Sequence, residues 1–172
     1  RYDRAAVDRI TKVAADAAFA LAGPLGEAAV KESGFGVAEH KKIKNEICSR
    51  GIYDAYKNED FCSKRVIAEQ KIVEVPRAAG IVFALTPSTN PVCTAFFKVL
   101  LALMTRNAII ISPHPLARKC TAEGVLAMAK AAEQAGAPAG IIQVIAEPNL
   151  PLIHHVMQSP RVNVILATGG TP

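Results

Sequence analysis

The chain has 172 residues, 51% of them hydrophobic, which is enough to bury a sizeable core and excludes a disordered polymer. Its 20 basic and 15 acidic residues leave a net charge of +5. With no Trp and only three Tyr for stacking, that balance argues against a nucleic-acid surface and for a local cationic site facing a small anion.

Cys48, Cys62, Cys93 and Cys120 stand far apart, with no Cys-x-x-Cys and no paired His at ligand spacing. This speaks against structural zinc and for reduced thiols in a cytoplasmic protein. Arg1, Asp3, Arg4, Asp8, Arg9 and Lys12 make the opening segment unlike a signal peptide. The longest apolar stretch, Val99 to Met104, is too short to cross a bilayer, so no membrane partner is expected. The chain opens on Arg and stops at Thr171-Pro172 just after a Gly pair, and both ends are expected to be cuts.

From Arg4 to Leu21, Val7, Ile10, Ala14, Ala17 and Leu21 recur at helical spacing opposite Asp3, Arg9, Lys12 and Asp16, which predicts an amphipathic first helix. Gly23-Pro24 ends it, and Pro24 opens a second helix through Val30, closed by Ser33-Gly34-Phe35-Gly36. A third helix is predicted from Val37 to about Tyr56. It is expected to turn Ile43, Ile47, Ile52 and Tyr56 inward and Lys41, Lys42, Lys44, Glu46 and Arg50 to water.

Lys57 to Gln70 reads as a loop with a short strand, and Lys71 to Val75, before Pro76, as an edge strand or arm that pairs with another subunit. Ile81 to Thr86 is then an apolar strand ended by Thr-Pro-Ser-Thr-Asn-Pro. Pro91 and Val92 to Thr105 form a helix, and Ala108 to Ile111 is a second strand ended by Ser-Pro-His-Pro. The alternation continues with a helix from Leu116 to Ala135, a stop at residues 136–140 and a strand from Ile141 to Ile145. A short helix from Asn149 to Gln158 and a strand from Val162 to Ala167 close it. Four apolar strands separated by three helices predict an α/β fold: N-terminal helices followed by a doubly wound parallel sheet. The expected division is a helical part over 1–70, an arm over 71–78 and a parallel core over 79–172.

Ligands of such sheets sit beyond the carboxyl ends of the strands. Three turns fall there. Asn90 can cap its helix, or donate its amide N–H to a developing oxyanion. His114, between two prolines, reads as a stiff turn residue or as a wall for a flat ligand. Thr168-Gly169-Gly170 follows a strand directly and reads as a tight turn or a pyrophosphate site, although no Gly-x-Gly-x-x-Gly is present. Cys93 lies in the first turn of a helix, with no His or Glu placed by sequence to activate it. His154-His155 read as surface residues.

Gly80-Ile81-Val82 with TPSTNP, Phe97-Lys98, TRNAIIISPHP, Arg118-Lys119-Cys120-Thr121 and ATGG together resemble the coenzyme A-acylating branch of the aldehyde dehydrogenase superfamily. Ile43-Lys44-Asn45 and Ile52 to Lys57 extend the resemblance over nearly the whole chain. It implies a Rossmann-like cofactor domain of an oxidoreductase that interconverts an aldehyde and an acyl-CoA, with NAD or NADP as cofactor and coenzyme A as co-substrate. It also implies a catalytic Cys in a second domain absent here, so the chain alone is expected to be inactive; the arm at Lys71 to Val75 points to a homo-oligomer. Acetaldehyde, succinic semialdehyde and sulfoacetaldehyde are all compatible aldehydes.

By the same resemblance Asn90 holds the oxyanion, with Thr89 as a competitor because the Asn stands one place later than in the hydrolytic enzymes. Thr86, Pro87, Ser88, Ser112, Pro113, His114, Thr168, Gly169 and Gly170 address the cofactor. The second reading is a non-catalytic nucleotide-binding or oligomerisation module of the same fold.

Overall fold

A computed structural model describes residues 2–169. The first helix, α1 (Arg4–Ala20), starts where the Asp3 carboxylate accepts from the Ala6 N–H at 2.9 Å, and it buries Val7, Ile10, Ala14 and Ala18. α2 (Ala22–Ser33) follows at an angle of 59° and ends on Gly34, whose φ of 72° favours a residue without Cβ. Pro24 sits in its first turn, where a missing N–H costs no helical bond. The third helical stretch runs as α3 (Ala38–Glu46), a π turn (Ile47–Gly51) and α4 (Ile52–Tyr56). Within the π turn the Ser49 hydroxyl donates back to Asn45 O at 2.6 Å and Glu46 O at 3.1 Å.

The expected faces of this stretch hold only in part: Lys42, Lys44 and Arg50 face water as predicted, but Lys41, Ile43, Ile47 and Tyr56 do not follow. Lys41, Asn45 and Ser49 are buried, whereas Ile43 and Ile47 are 48% and 58% exposed and Tyr56 is also exposed; only Ile52 packs inward as predicted. The cause is the surface that α3 covers, which offers backbone carbonyls. Lys41 Nζ donates to Thr89 O at 2.6 Å and Asn45 Nδ2 to Ala22 O at 2.9 Å, bonds that no isoleucine can make.

β1 (Arg65–Ile67) and β2 (Ile72–Glu74) form a separate antiparallel hairpin, with Val66 opposite Val73 and Arg65 paired to Glu74. The predicted strand at Lys71 to Val75 is therefore an arm and not an edge of the main sheet. Val66, Ile72, Val73 and Val75 on it are exposed.

The main sheet is parallel: β3 (Ile81–Leu85), β4 (Ala108–Ser112), β5 (Ile142–Val144) and β6 (Val162–Ala167), in the order β5-β4-β3-β6. Val82, Ala84, Ile109, Ile111 and Ile142 turn one face onto α5 (Pro91–Met104) and α6 (Arg118–Gln134), and α1 packs on those two helices to complete the core. The chain then returns from β5 at one edge to β6 at the other through α7 (Leu150–Met157). The right-handed rule for such crossovers puts α7 on the opposite face, where Phe83 is fully buried. The sheet is thus doubly wound, as its strand and helix alternation predicts.

One glycine is indispensable to its start. Gly80 has φ +127° and a Cβ there would lie 2.1 Å from Asn163 Oδ1, the atom that accepts from the Ile81 N–H.

Candidate active site

Strand β3 connects forward to β4 on one side, while β6 arrives on its other side. The crevice at the carboxyl ends of β3 and β6 is therefore the topological switch point, the usual ligand position in an open parallel sheet. Register brings Leu85, Ser112 and Ala167 to one level, so the three turns named from sequence lie at the same rim. They are stitched together: Thr86 N–H donates to Ser112 O at 3.1 Å and Thr168 N–H to Leu85 O at 3.3 Å.

Thr86, Ser112 and Pro113 are buried at this rim, Pro87, Ser88, Asn90 and His114 are half-buried, and Thr168 and Gly169 are exposed. Gly170 lies outside the described residues. The hydroxyls of Thr86 and Ser112 are buried without a hydrogen-bond partner among the described residues. Two orphaned hydroxyls at a strand-end crevice fit a ligand rich in sugar and phosphate oxygens, so the residues present suit a dinucleotide. His114 turns its Nδ1 inward to accept from the Leu116 N–H at 3.1 Å, which locks the ring in the turn. The amino end of α6 is not open to a phosphate. Glu32 accepts there from the N–H groups of Lys119 and Cys120, both at 2.8 Å; burial works against its charge, yet these bonds hold Glu32 below the usual carboxylate range.

Asn90 occupies the N-cap position of α5 but makes no side-chain cap bond. Its Oδ1 accepts instead from Lys44 Nζ at 3.0 Å, beside the Lys41 bond to Thr89 O. The amide NH2 is left with no acceptor among the described residues. His40, Lys41, Lys44, Thr89 and Asn90, with Phe35, Gly36 and Val37, line an open groove of about 300 Å³. Burial first, and then the neighbouring Lys44, lowers the pKa of Lys41.

Cys93 lies behind Asn90, with its Sγ 3.6 Å from Asn90 O. The absence of an activating His or Glu near it in sequence is made good by other groups. The neighbouring Cys48 thiol outweighs the upward pull of burial, and the ammoniums of Lys44 and Lys41 add to the effect, holding Cys93 below the ordinary thiol range. Cys48 is pushed up by its neighbour Cys93 and by burial.

Lys98 is the functional-site residue that sequence reasoning missed. From the middle of α5 Lys98, 2% exposed, donates its Nζ to Leu85 O and Leu166 O, both at 2.7 Å. It thereby ties together the two strand ends that frame the crevice. Burial brings its pKa down to about 8. The signal available was a lone Lys inside an otherwise apolar helix.

A cavity of about 310 Å³ lies at the opposite end of the sheet between Tyr2, Ile10, Leu103 and Ile141, away from these groups. Among the described residues no group of three or more His, Cys, Asp or Glu is placed to hold a metal ion, and no single helix is long and apolar enough to cross a membrane.

A parallel, doubly wound sheet with a polar crevice at its switch point makes this an α/β domain of the Rossmann-like class. Residues 8–172 match the aldehyde dehydrogenase family. The chain belongs to that family. It is 44% identical over 167 residues to the bifunctional aldehyde-alcohol dehydrogenase AdhE of Escherichia coli K12, covering 95% of this chain and 18% of that one. The crystal structure of an acetylating aldehyde dehydrogenase from Geobacillus thermoglucosidasius superposes with a TM-score of 0.96 at 41% identity, over 99% of this chain and 38% of that one. A propionaldehyde dehydrogenase from Rhodopseudomonas palustris, solved with bound CoA, gives a TM-score of 0.85 at 25% identity, over 98% and 38%. The chain therefore spans less than two fifths of each of these relatives.

Proposed function

We propose that this chain is the cofactor-binding part of a CoA-acylating aldehyde dehydrogenase, interconverting an aldehyde and an acyl-CoA with NAD or NADP. The observation that carries the reading is the state of Asn90. An amide that forgoes its own helix cap, gives its oxygen to Lys44 and keeps its N–H groups free at the rim of the crevice is built to donate to a carbonyl oxygen.

In this reading a cysteine from outside the chain attacks the aldehyde carbon. As the C=O bond opens, Asn90 Nδ2–H stabilises the oxyanion. The nicotinamide supplies hydride acceptance when bound, and the acyl group leaves the enzyme thiol for that of coenzyme A. Thr86, Pro87, Ser88, Ser112, Pro113 and His114 line the cofactor crevice, with Thr168, Gly169 and Gly170 at the pyrophosphate. Lys98 holds the crevice at its correct width. Cys93 takes no part, since its thiol is buried against the helix it belongs to.

The division into a helical part (1–70), an arm (71–78) and a parallel core (79–172) belongs to the same proposal. So do a cytoplasmic location, which the four free thiols support, and a homo-oligomer assembled through the exposed arm, with neither nucleic acid nor membrane as a partner.

The deciding assay uses the full-length protein with acetaldehyde, coenzyme A and NAD, following NADH by its absorbance and thioester by mass. Acyl-CoA formed in step with NADH is the expected result. NADH without thioester indicates a hydrolytic enzyme, and neither product with any short aldehyde overturns the reading.

A further inference from the structure

Resting on the reading of Asn90 as the oxyanion donor, we propose that Lys44 is a positioning residue that fixes which end of the Asn90 amide meets the substrate. A carboxamide has a donor end and an acceptor end of nearly the same shape. Rotated by half a turn, Asn90 presents Oδ1 to the developing oxyanion, and attraction becomes repulsion. Nothing on α5 prevents this, because Asn90 makes no side-chain bond to its own helix.

Lys44 does prevent it. An ammonium has three donors and no acceptor, so at 3.0 Å it selects the amide oxygen and rejects the NH2. Its charge also draws electron density toward Oδ1 and leaves the N–H groups more positive. Lys44 takes part in none of the ion pairs among the described residues; Lys42, two residues before it, is the one that pairs with Glu39. Its charge is therefore not spent on a carboxylate.

The base of the lever is firm. Three residues earlier on α3, Lys41 fixes Thr89 O at 2.6 Å, and one residue later Asn45 anchors the helix on Ala22 O. The burial of Lys41 and Asn45, which reverses the face expected from the isoleucines, is what brings Lys44 over the turn. A chain segment 46 residues away in sequence thus sets the polarity of the site.

The test is a mutant cycle in the full-length protein: Lys44→Met, Asn90→Ala and the double variant, with Lys44→Arg as the conservative control. Lys44→Met is expected to lower kcat about tenfold, with the KM values for NAD and coenzyme A unchanged and the melting temperature close to parental. Lys44→Arg restores most of the loss, and Lys44→Met costs nothing further once Asn90 is Ala. Parental turnover in Lys44→Met, or an equal loss on the Asn90→Ala background, overturns the role of Lys44 while leaving Asn90 as the donor. Parental turnover in Asn90→Ala itself removes the donor reading, and the inference falls with it.

Discussion

An asparagine at the head of a helix ordinarily turns its side chain back on the first N–H groups. Asn90 does not, and that separates its two possible roles. Asn90→Ala should change stability by less than about 0.5 kcal/mol, as for a residue outside the packed core, while turnover of the full-length enzyme falls roughly a hundredfold. Unchanged turnover with a clear loss of stability returns Asn90 to the role of a cap.

Cys93 sits where neighbouring groups favour its thiolate. Its thiol is expected to react with iodoacetamide along a pH profile centred below the ordinary thiol value. In Cys48→Ala the midpoint should climb toward the ordinary thiol value of about 8.5, because the donor that stabilises the thiolate is gone. Peptide mass spectrometry of the Cys93 fragment reads this directly, and a profile that ignores residue 48 counts against the thiol pair. Cys93 could be named from sequence, but its activators could not. Cys48, Lys41 and Lys44 come from another helix, and only packing puts them beside it.

At the scale of elements, α5 carries both the rim and the strut of the crevice. Its apolar run announces a core helix, and Lys98 interrupts that run because two strand-end carbonyls need a donor. Burial holds its pKa at about 8, against about 10.4 in an unfolded chain. Between those values the folded state binds fewer protons than the unfolded one, so stability contributed by this group rises with pH. Below about pH 8 the full cost of the buried charge is present. Urea unfolding should therefore show a rise from pH 8 to 10 that Lys98→Met lacks; parallel profiles for the two proteins would refute the assignment.

α3 shows the limit of periodicity. Ile43, Ile47 and Ile52 suggest an inward stripe, yet the carbonyls of Thr89 and Ala22 outweigh it and bury Lys41 and Asn45. Hydropathy ranks side chains by their cost in oil, and this surface is not oil.

For the whole molecule, the hairpin packs chiefly on itself among the described elements. A two-stranded sheet is marginal alone in water, and Val66, Ile72, Val73 and Val75 on it are exposed. Within the proposed assembly it pairs with a second copy. Val66→Lys with Val73→Lys, facing each other across the hairpin, should reduce the light-scattering mass of the full-length protein toward that of a monomer. An unchanged mass removes the arm from the interface. Ile43 and Ile47 form a second exposed apolar strip on the outer face of α3, and nothing in the structure shows what covers it.

By itself the sequence determined the alternation of strands and helices, the parallel sheet, the three turns at its carboxyl end and the family resemblance. These follow from local apolar runs punctuated by proline, glycine and asparagine, and such signals are read within a few residues. The tertiary structure alone decided the burial of α3's polar face, the detachment of the hairpin, the Lys98 strut and the orientation of Asn90. Each of these depends on a hydrogen bond or contact between segments far apart in the chain. The partner of a side chain is set by packing, and no local pattern records it.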